Sequence, residues 1–187
     1  LQYKIELDVA GMVDGAPSDV SMAERLERVR KHTNSWSRLA FATVEELPCR
    51  DAHMVQLSGK VLARCVGDST LAFSVLPGHA RGVRSKEWRI ENVGFPIKAY
   101  AIDPAQDLIA ILSDSQPPAI YLWSISTGEP HPLATDTQMS FPHGREYDMD
   151  DRFDLCLTGD FLGVRCPPMD GEFTKELIVW SWKNGTV

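Results

Sequence analysis

The chain has 187 residues, 43% hydrophobic and 24% charged, with 19 Lys plus Arg against 26 Asp plus Glu and a formal net charge of −7. That length suits one folded domain with at most a small appendage, and the composition is that of a folded chain rather than a disordered one. The acidic balance argues against unspecific affinity for nucleic acid or an anionic membrane surface, and no uncharged apolar run approaches the roughly 18 residues of a membrane helix.

The first forty residues read as helical. Ser21-Met22-Ala23-Glu24 has the S-x-x-E form of a capping box, in which two side chains satisfy each other's free backbone donors. After it, Met22, Leu26, Val29, Thr33 and Trp36 recur at steps of three and four, which predicts an amphipathic helix of about four turns. Leu1, Ile5, Val9 and Met12 also fit a helical stripe; an alternating strand through Tyr3, Ile5, Leu7 and Val9 fits almost as well, and the helix is preferred. The basic run Arg28-Val29-Arg30-Lys31-His32 reads as a solvated helix face.

From about residue 50 the chain repeats itself. Thr70 to Gly78, Ile120 to Gly128 and Leu177 to Gly185 align without a gap, each an apolar run with an aromatic fourth (Phe73, Trp123, Trp180), Ser fifth and Gly ninth. Upstream lie Lys60 to Ala63, Asp107 to Ala110 and Asp160 to Gly163, preceded by His53 to Leu57, Ile97 to Ile102 and Phe153 to Leu157. Trp88-Arg89-Ile90 supplies a fourth strand to the first unit. A four-stranded unit of roughly 40 to 50 residues is the signature of a β-propeller blade, whose two faces are covered only by stacked neighbours. The predicted fold is therefore mainly β: a partial β-propeller of about three four-stranded blades (50–94, 95–140 and 150–187) behind a helical segment at 1–40. Closed propellers usually need four to eight blades, and three leave exposed edges. The opening Leu1 in place of Met, and the missing last strand of the third blade, lead us to expect a piece of a longer protein.

Ile120 to Gly128 resembles the closing strand of a WD-type repeat, with Trp-Ser in place of Trp-Asp. Three stretches together resemble the F-box-associated propeller proteins of basidiomycete fungi. They are Leu1-Gln2-Tyr3-Lys4-Ile5-Glu6-Leu7 with Ala10-Gly11-Met12, then Ala23-Glu24-Arg25-Leu26, then Asp103 to Leu108 running on to Ser126 to Leu133. The resemblance implies a parent protein in which an F-box docks on a Skp-type adaptor and the propeller holds a substrate for ubiquitin transfer. The 187 residues contain no F-box, so adaptor docking is expected only of the parent.

Enzyme signatures are missing from the sequence: it has no G-x-S-x-G elbow, no H-E-x-x-H and no phosphate-binding Gly-rich loop. His32, His53, His79, His131 and His143 show no pair at ligand spacing, and Cys49, Cys65, Cys156 and Cys166 form no C-x-x-C. The cysteines read as reduced, mostly buried thiols, which together with the absence of a secretory leader suggests a cytoplasmic or nuclear protein. Asp148-Met149-Asp150-Asp151-Arg152-Phe153-Asp154 departs from calcium-loop spacing and reads as a solvated acidic loop. No cofactor or metal is expected.

A binding role fits better. The interval from the second to the third run grows from 10 residues (Lys60 to Thr70) to 13 (Asp107 to Ile120) and 17 (Asp160 to Leu177), the variation a recognition rim would show. Candidate partner-binding residues there are Pro117, Phe141, Arg145, Tyr147 and Met169. The function expected is non-catalytic protein interaction, as the substrate-recognition part of an F-box-type receptor. The alternatives are a propeller scaffold without a tie to ubiquitin, or an ion-binding or enzymatic propeller.

Overall fold

A computed structural model describes residues 1–15, 17–40, 46, 49, 51–77, 84–142, 152–167 and 176–187. The chain divides into two compact units, Leu1–Pro48 with Gly78–Val83, and Cys49–Pro77 with Arg84–Val187.

In the first unit, helix α1 spans Gln2–Val9 and helix α2 spans Met22–Ser37. The capping box forms: Glu24 N–H donates to Ser21 Oγ at 3.3 Å, and Ser21 N–H donates to Glu24 Oε2 at 3.0 Å. The apolar contact between the helices differs from the predicted stripes. Tyr3, Leu7 and Val29 form the small core with Ala10, Met12 and Leu26 against them, whereas Leu1, Ile5, Val9, Met22 and Trp36 are exposed. Tyr3 belongs inside because its hydroxyl finds a partner, donating to Asp14 Oδ1 at 2.6 Å. Ion pairs Arg30–Glu6 (2.6 Å) and Arg25–Asp14 (3.0 Å) flank that core.

The second unit holds eleven strands among the described residues: β1 (Ala52–Ser58), β2 (Val61–Val66), β3 (Thr70–Val75), β4 (Lys86–Ile90), β5 (Ile97–Asp103), β6 (Leu108–Ser113), β7 (Ala119–Ser124), β8 (Gln138–Ser140), β9 (Asp154–Thr158), β10 (Phe161–Cys166) and β11 (Glu176–Ser181). They make three antiparallel sheets, each a meander in chain order: β1-β2-β3-β4, β5-β6-β7-β8 and β9-β10-β11. Every strand run read from the sequence lies in one of them.

The sheets stack. Because side chains alternate along a strand, β6 sends Ile109 and Ile111 into one core and Leu108, Ala110 and Leu112 into another. The first core is shared with the first sheet (Val61, Ala63, Cys65, Leu71, Phe73), the second with the third sheet (Leu162, Val164, Ile178, Trp180). Every residue of β6 is therefore buried. Polar ties cross both seams: Trp88 Nε1 donates to Ile125 O at 2.8 Å, and Gln106 Nε2 to Gly159 O at 2.7 Å. At the first seam Gly128 sits at φ +73°, and a Cβ there would meet both Ile90 γ-carbons at 3.2 Å, so both space and conformation require glycine.

The repeat is real, but its gapless alignment slips by one residue in the first sheet. Leu108 pairs with Ser124 and Phe161 with Ser181, whereas Val61 pairs with Val75 rather than Ser74. One closing hydrogen bond marks the equivalence: Ile125 N–H to Asp107 O (2.9 Å), Trp182 N–H to Asp160 O (3.1 Å) and Leu76 N–H to Lys60 O (2.8 Å). A one-residue slip reverses the face. Trp123 and Trp180 thus face the preceding sheet, and Phe73 faces the following one. All three aromatics lie between sheets, Trp123 and Trp180 in the seam before their own sheet and Phe73 in the seam after it.

Trp180 is 2% exposed, with Phe141 edge-on at 5.7 Å. Trp180→Ala is expected to cost about 3–5 kcal/mol in chemical denaturation, as for other buried aromatic truncations.

Candidate functional site

The first strand of each meander lies at an edge of its sheet, and β5 packs against both β1 and β9. Their beginnings enclose a cavity of about 640 Å³, within the range of small ligand pockets. His53 and Gln56 come from β1, Lys98 and Tyr100 from β5, and Asp154 from β9, with Arg152 just before it. Antiparallel pairing puts the start of each first strand beside the end of the second: Ala52 beside Val66, Ile97 beside Ser113, Asp154 beside Arg165. The cavity therefore opens at the end that carries the connections between second and third strands, the rim singled out by loop length.

The groups divide into a fixed floor and a charged mouth. Tyr100 is 8% exposed, and its hydroxyl donates to Ala63 O at 2.9 Å, with Met54 O at 3.2 Å. Burial, and secondarily the Cys65 thiol, raises the phenol far above its ordinary range, so Tyr100 is a neutral donor and not an acid. Gln56 Oε1 accepts from Ile102 N–H at 3.1 Å. These bonds hold β5 to β1 and β2. Asp154 pairs with Arg152 at 3.0 Å and with Arg165. Among the described lining residues, two cations (Lys98, Arg152) thus face one carboxylate, in a chain of net charge −7. Such a mouth can hold an acidic or hydrogen-bonding group. Among the described lining residues no nucleophile stands beside a base.

A second polar constellation is structural. Asp107, at φ +56° in the turn before β6, accepts from Ser126 N–H (2.8 Å), Ser126 Oγ (2.7 Å) and Ser124 Oγ. Burial pushes its carboxyl up, but the bonds from Ser124 and Ser126, with His131 nearby, outweigh that and leave it below the usual carboxylate range. His131 is buried. A carbonyl only accepts, so Nε2–H donates to Gln106 O at 3.0 Å, while Nδ1 takes Leu133 N–H at 3.3 Å. Its ring meets Trp182 edge-on at 5.2 Å. Every atom is occupied in fastening turns, which excludes the Ser–His–Asp geometry of a hydrolase.

Of the residues expected at the rim, Pro117 is exposed in the β6–β7 connection. Phe141 is instead a core residue, 9% exposed, packed with Phe153 at 6.3 Å and with Trp180. Arg145, Tyr147, Met169 and the acidic stretch 148–151 lie outside the described residues. The cavity residues His53, Gln56, Lys98 and Tyr100 escaped the sequence reading. Each pair lies more than forty residues from the other in the chain, and only aligning the first strands of the repeats would have joined them. Among the described residues no group of three or more His, Cys, Asp or Glu could hold a metal ion. No helix among them is long and apolar enough to cross a membrane. Compared with family models, curated proteins and solved structures, the chain matches none.

Asp107→Asn should lower stability by about 1–2 kcal/mol at pH 7, the lower part of the charged hydrogen-bond range because the site is partly solvated. A carboxyl depressed in the fold stabilises above its unfolded value of about 3.9 and loses that contribution as pH falls through the folded value. Melts of variant and parent should therefore begin to converge as pH falls below about 4 and coincide only below the folded value. Cys65 and Cys166 are buried and Cys156 is exposed. Burial, then Asp68, pushes the Cys65 thiol up to about 11. Iodoacetamide should label Cys156 in the native protein, and Cys65 and Cys166 only after unfolding, as read by mass spectrometry.

Proposed function

We propose that the three sheets are successive blades of a β-propeller, and that the chain is a non-catalytic module that binds protein partners at the rim. The observation that carries this reading is the meeting of β1, β5 and β9 around one cavity. Meanders stacked face to face with their first strands innermost are the arrangement of blades about an axis. Among the described lining residues the mouth carries two cations and one carboxylate, exposed loops stand beside it, and its floor is tied by hydrogen bonds, a combination that suits recognition of an extended acidic segment. The narrower reading, the substrate-holding part of an F-box-type receptor, is supported by the resemblance at residues 1–12, 23–26 and 103–133.

The test is to pan a displayed random-peptide library on the purified chain. Enriched peptides rich in Asp or Glu, whose binding falls at least about tenfold in Lys98→Glu, would support the cavity as the site. Failure to enrich any peptide, or binding indifferent to Lys98→Glu and to Pro117→Ala, would count against it. The receptor reading predicts that the full-length gene product coprecipitates a Skp-type adaptor while the 187 residues alone do not.

A further inference from the structure

We propose that the outer face of the third sheet docks, head to tail, on the exposed β1 strip of the first sheet of a second copy of this chain. The inference goes beyond partner binding and rests on the stacking half of that reading, not on the cavity.

Equivalent positions carry it. The pairing registers put Val61, Leu108 and Phe161 at one position, Leu71, Ile120 and Leu177 at a second, and Phe73, Leu122 and Val179 at a third. In the first two sheets all six residues are at most 5% exposed, because the next sheet covers them. In the third sheet Phe161 is 57% exposed, Leu177 67% and Val179 42%. The same apolar face thus has a cover twice and lacks one the third time.

The matching surface stands at the other end of the stack. Tyr100 and Ile102 of β5 pack into the core shared with the first sheet, and Leu155 and Leu157 of β9 pack against the core shared with the second. The equivalent residues of β1, paired with Arg64 and Leu62 as Tyr100 and Ile102 are with Ile111 and Ile109, are Val55 and Leu57. They are 52% and 57% exposed. The centre of that face, Leu62 and Ala72, is already buried, so the docking surface there is the β1 strip. A head-to-tail contact is heterologous and either closes or propagates.

Sedimentation velocity across the micromolar range tests this on the whole chain. The parent should reach twice its 20.9 kDa monomer mass. L177E/V179E and V55E/L57E, all at exposed positions, should each be monomeric, with self-association weakened at least about tenfold. Mixed, the two variants should pair again, because each supplies the face the other lacks; that rescue also shows that both are folded. A monomeric parent at every concentration would overturn the proposal. So would V55E/L57E still pairing with itself, which would mark a symmetric contact between third sheets. The peptide assay through Lys98 reads the cavity separately, so either reading can fail alone.

Discussion

The structure of the second unit depends on the burial of β6 from both sides. A strand with alternate residues committed to two different cores can serve only as the middle of a stack, and its sheet can only be the middle sheet. Each buried Ile or Leu side chain contributes roughly 1.5–3 kcal/mol relative to exposure, so β6 with its neighbours β5 and β7 supplies much of the driving force that holds the outer sheets in place. The third sheet has no such double cover, and in the first sheet the β1 strip is left open. Their outward positions carry exposed apolar residues, Val55 and Leu57 at one end and Phe161, Leu177 and Val179 at the other.

The cavity follows from the same stacking. Once each meander begins at one edge and the sheets stack in chain order, the first strands come together and their beginnings share one mouth. The floor is polar yet unavailable, since Tyr100 and Gln56 spend their hydrogen bonds on the backbone of a neighbouring sheet. Among the described lining residues, Lys98, Arg152 and Asp154 supply charge and hydrogen bonding at the mouth. The Asp107–Ser124–Ser126 cluster and His131 show the opposite arrangement: reactive residue types whose atoms are all occupied in holding turns and a seam. Residue type alone would rank that cluster above the cavity as an active site, and hydrogen-bond geometry reverses the order.

Much of this was legible in the sequence, for local reasons. Strand positions followed from apolar runs bounded by Gly, Asp and Pro, and α2 from a capping box that needs only four consecutive residues. The repeat itself was legible because equivalent strands meet equivalent neighbours. What the sequence left open was every quantity that depends on a one-residue register or on a distant partner. Phe73 looks equivalent to Trp123 and Trp180 in a gapless alignment, yet it pairs with Ala63 whereas they pair with Ile109 and Leu162, one position earlier in the repeat, which puts it on the opposite face. Phe141 has the residue type of an interface anchor, but the seam between second and third sheets claims it.

The sequence by itself determined that the chain is mainly β, where its strands and capped helix lie, and that it repeats one unit of connected strands, because those properties are set by side-chain period and turn chemistry within a few residues. Only the tertiary structure decided which face of each strand is inside, which apolar stripe of α1 is buried, and which residues gather around a common cavity. Those outcomes depend on contacts between segments some fifty residues apart, and a strand's two faces are chemically distinguished only by what finally packs against them.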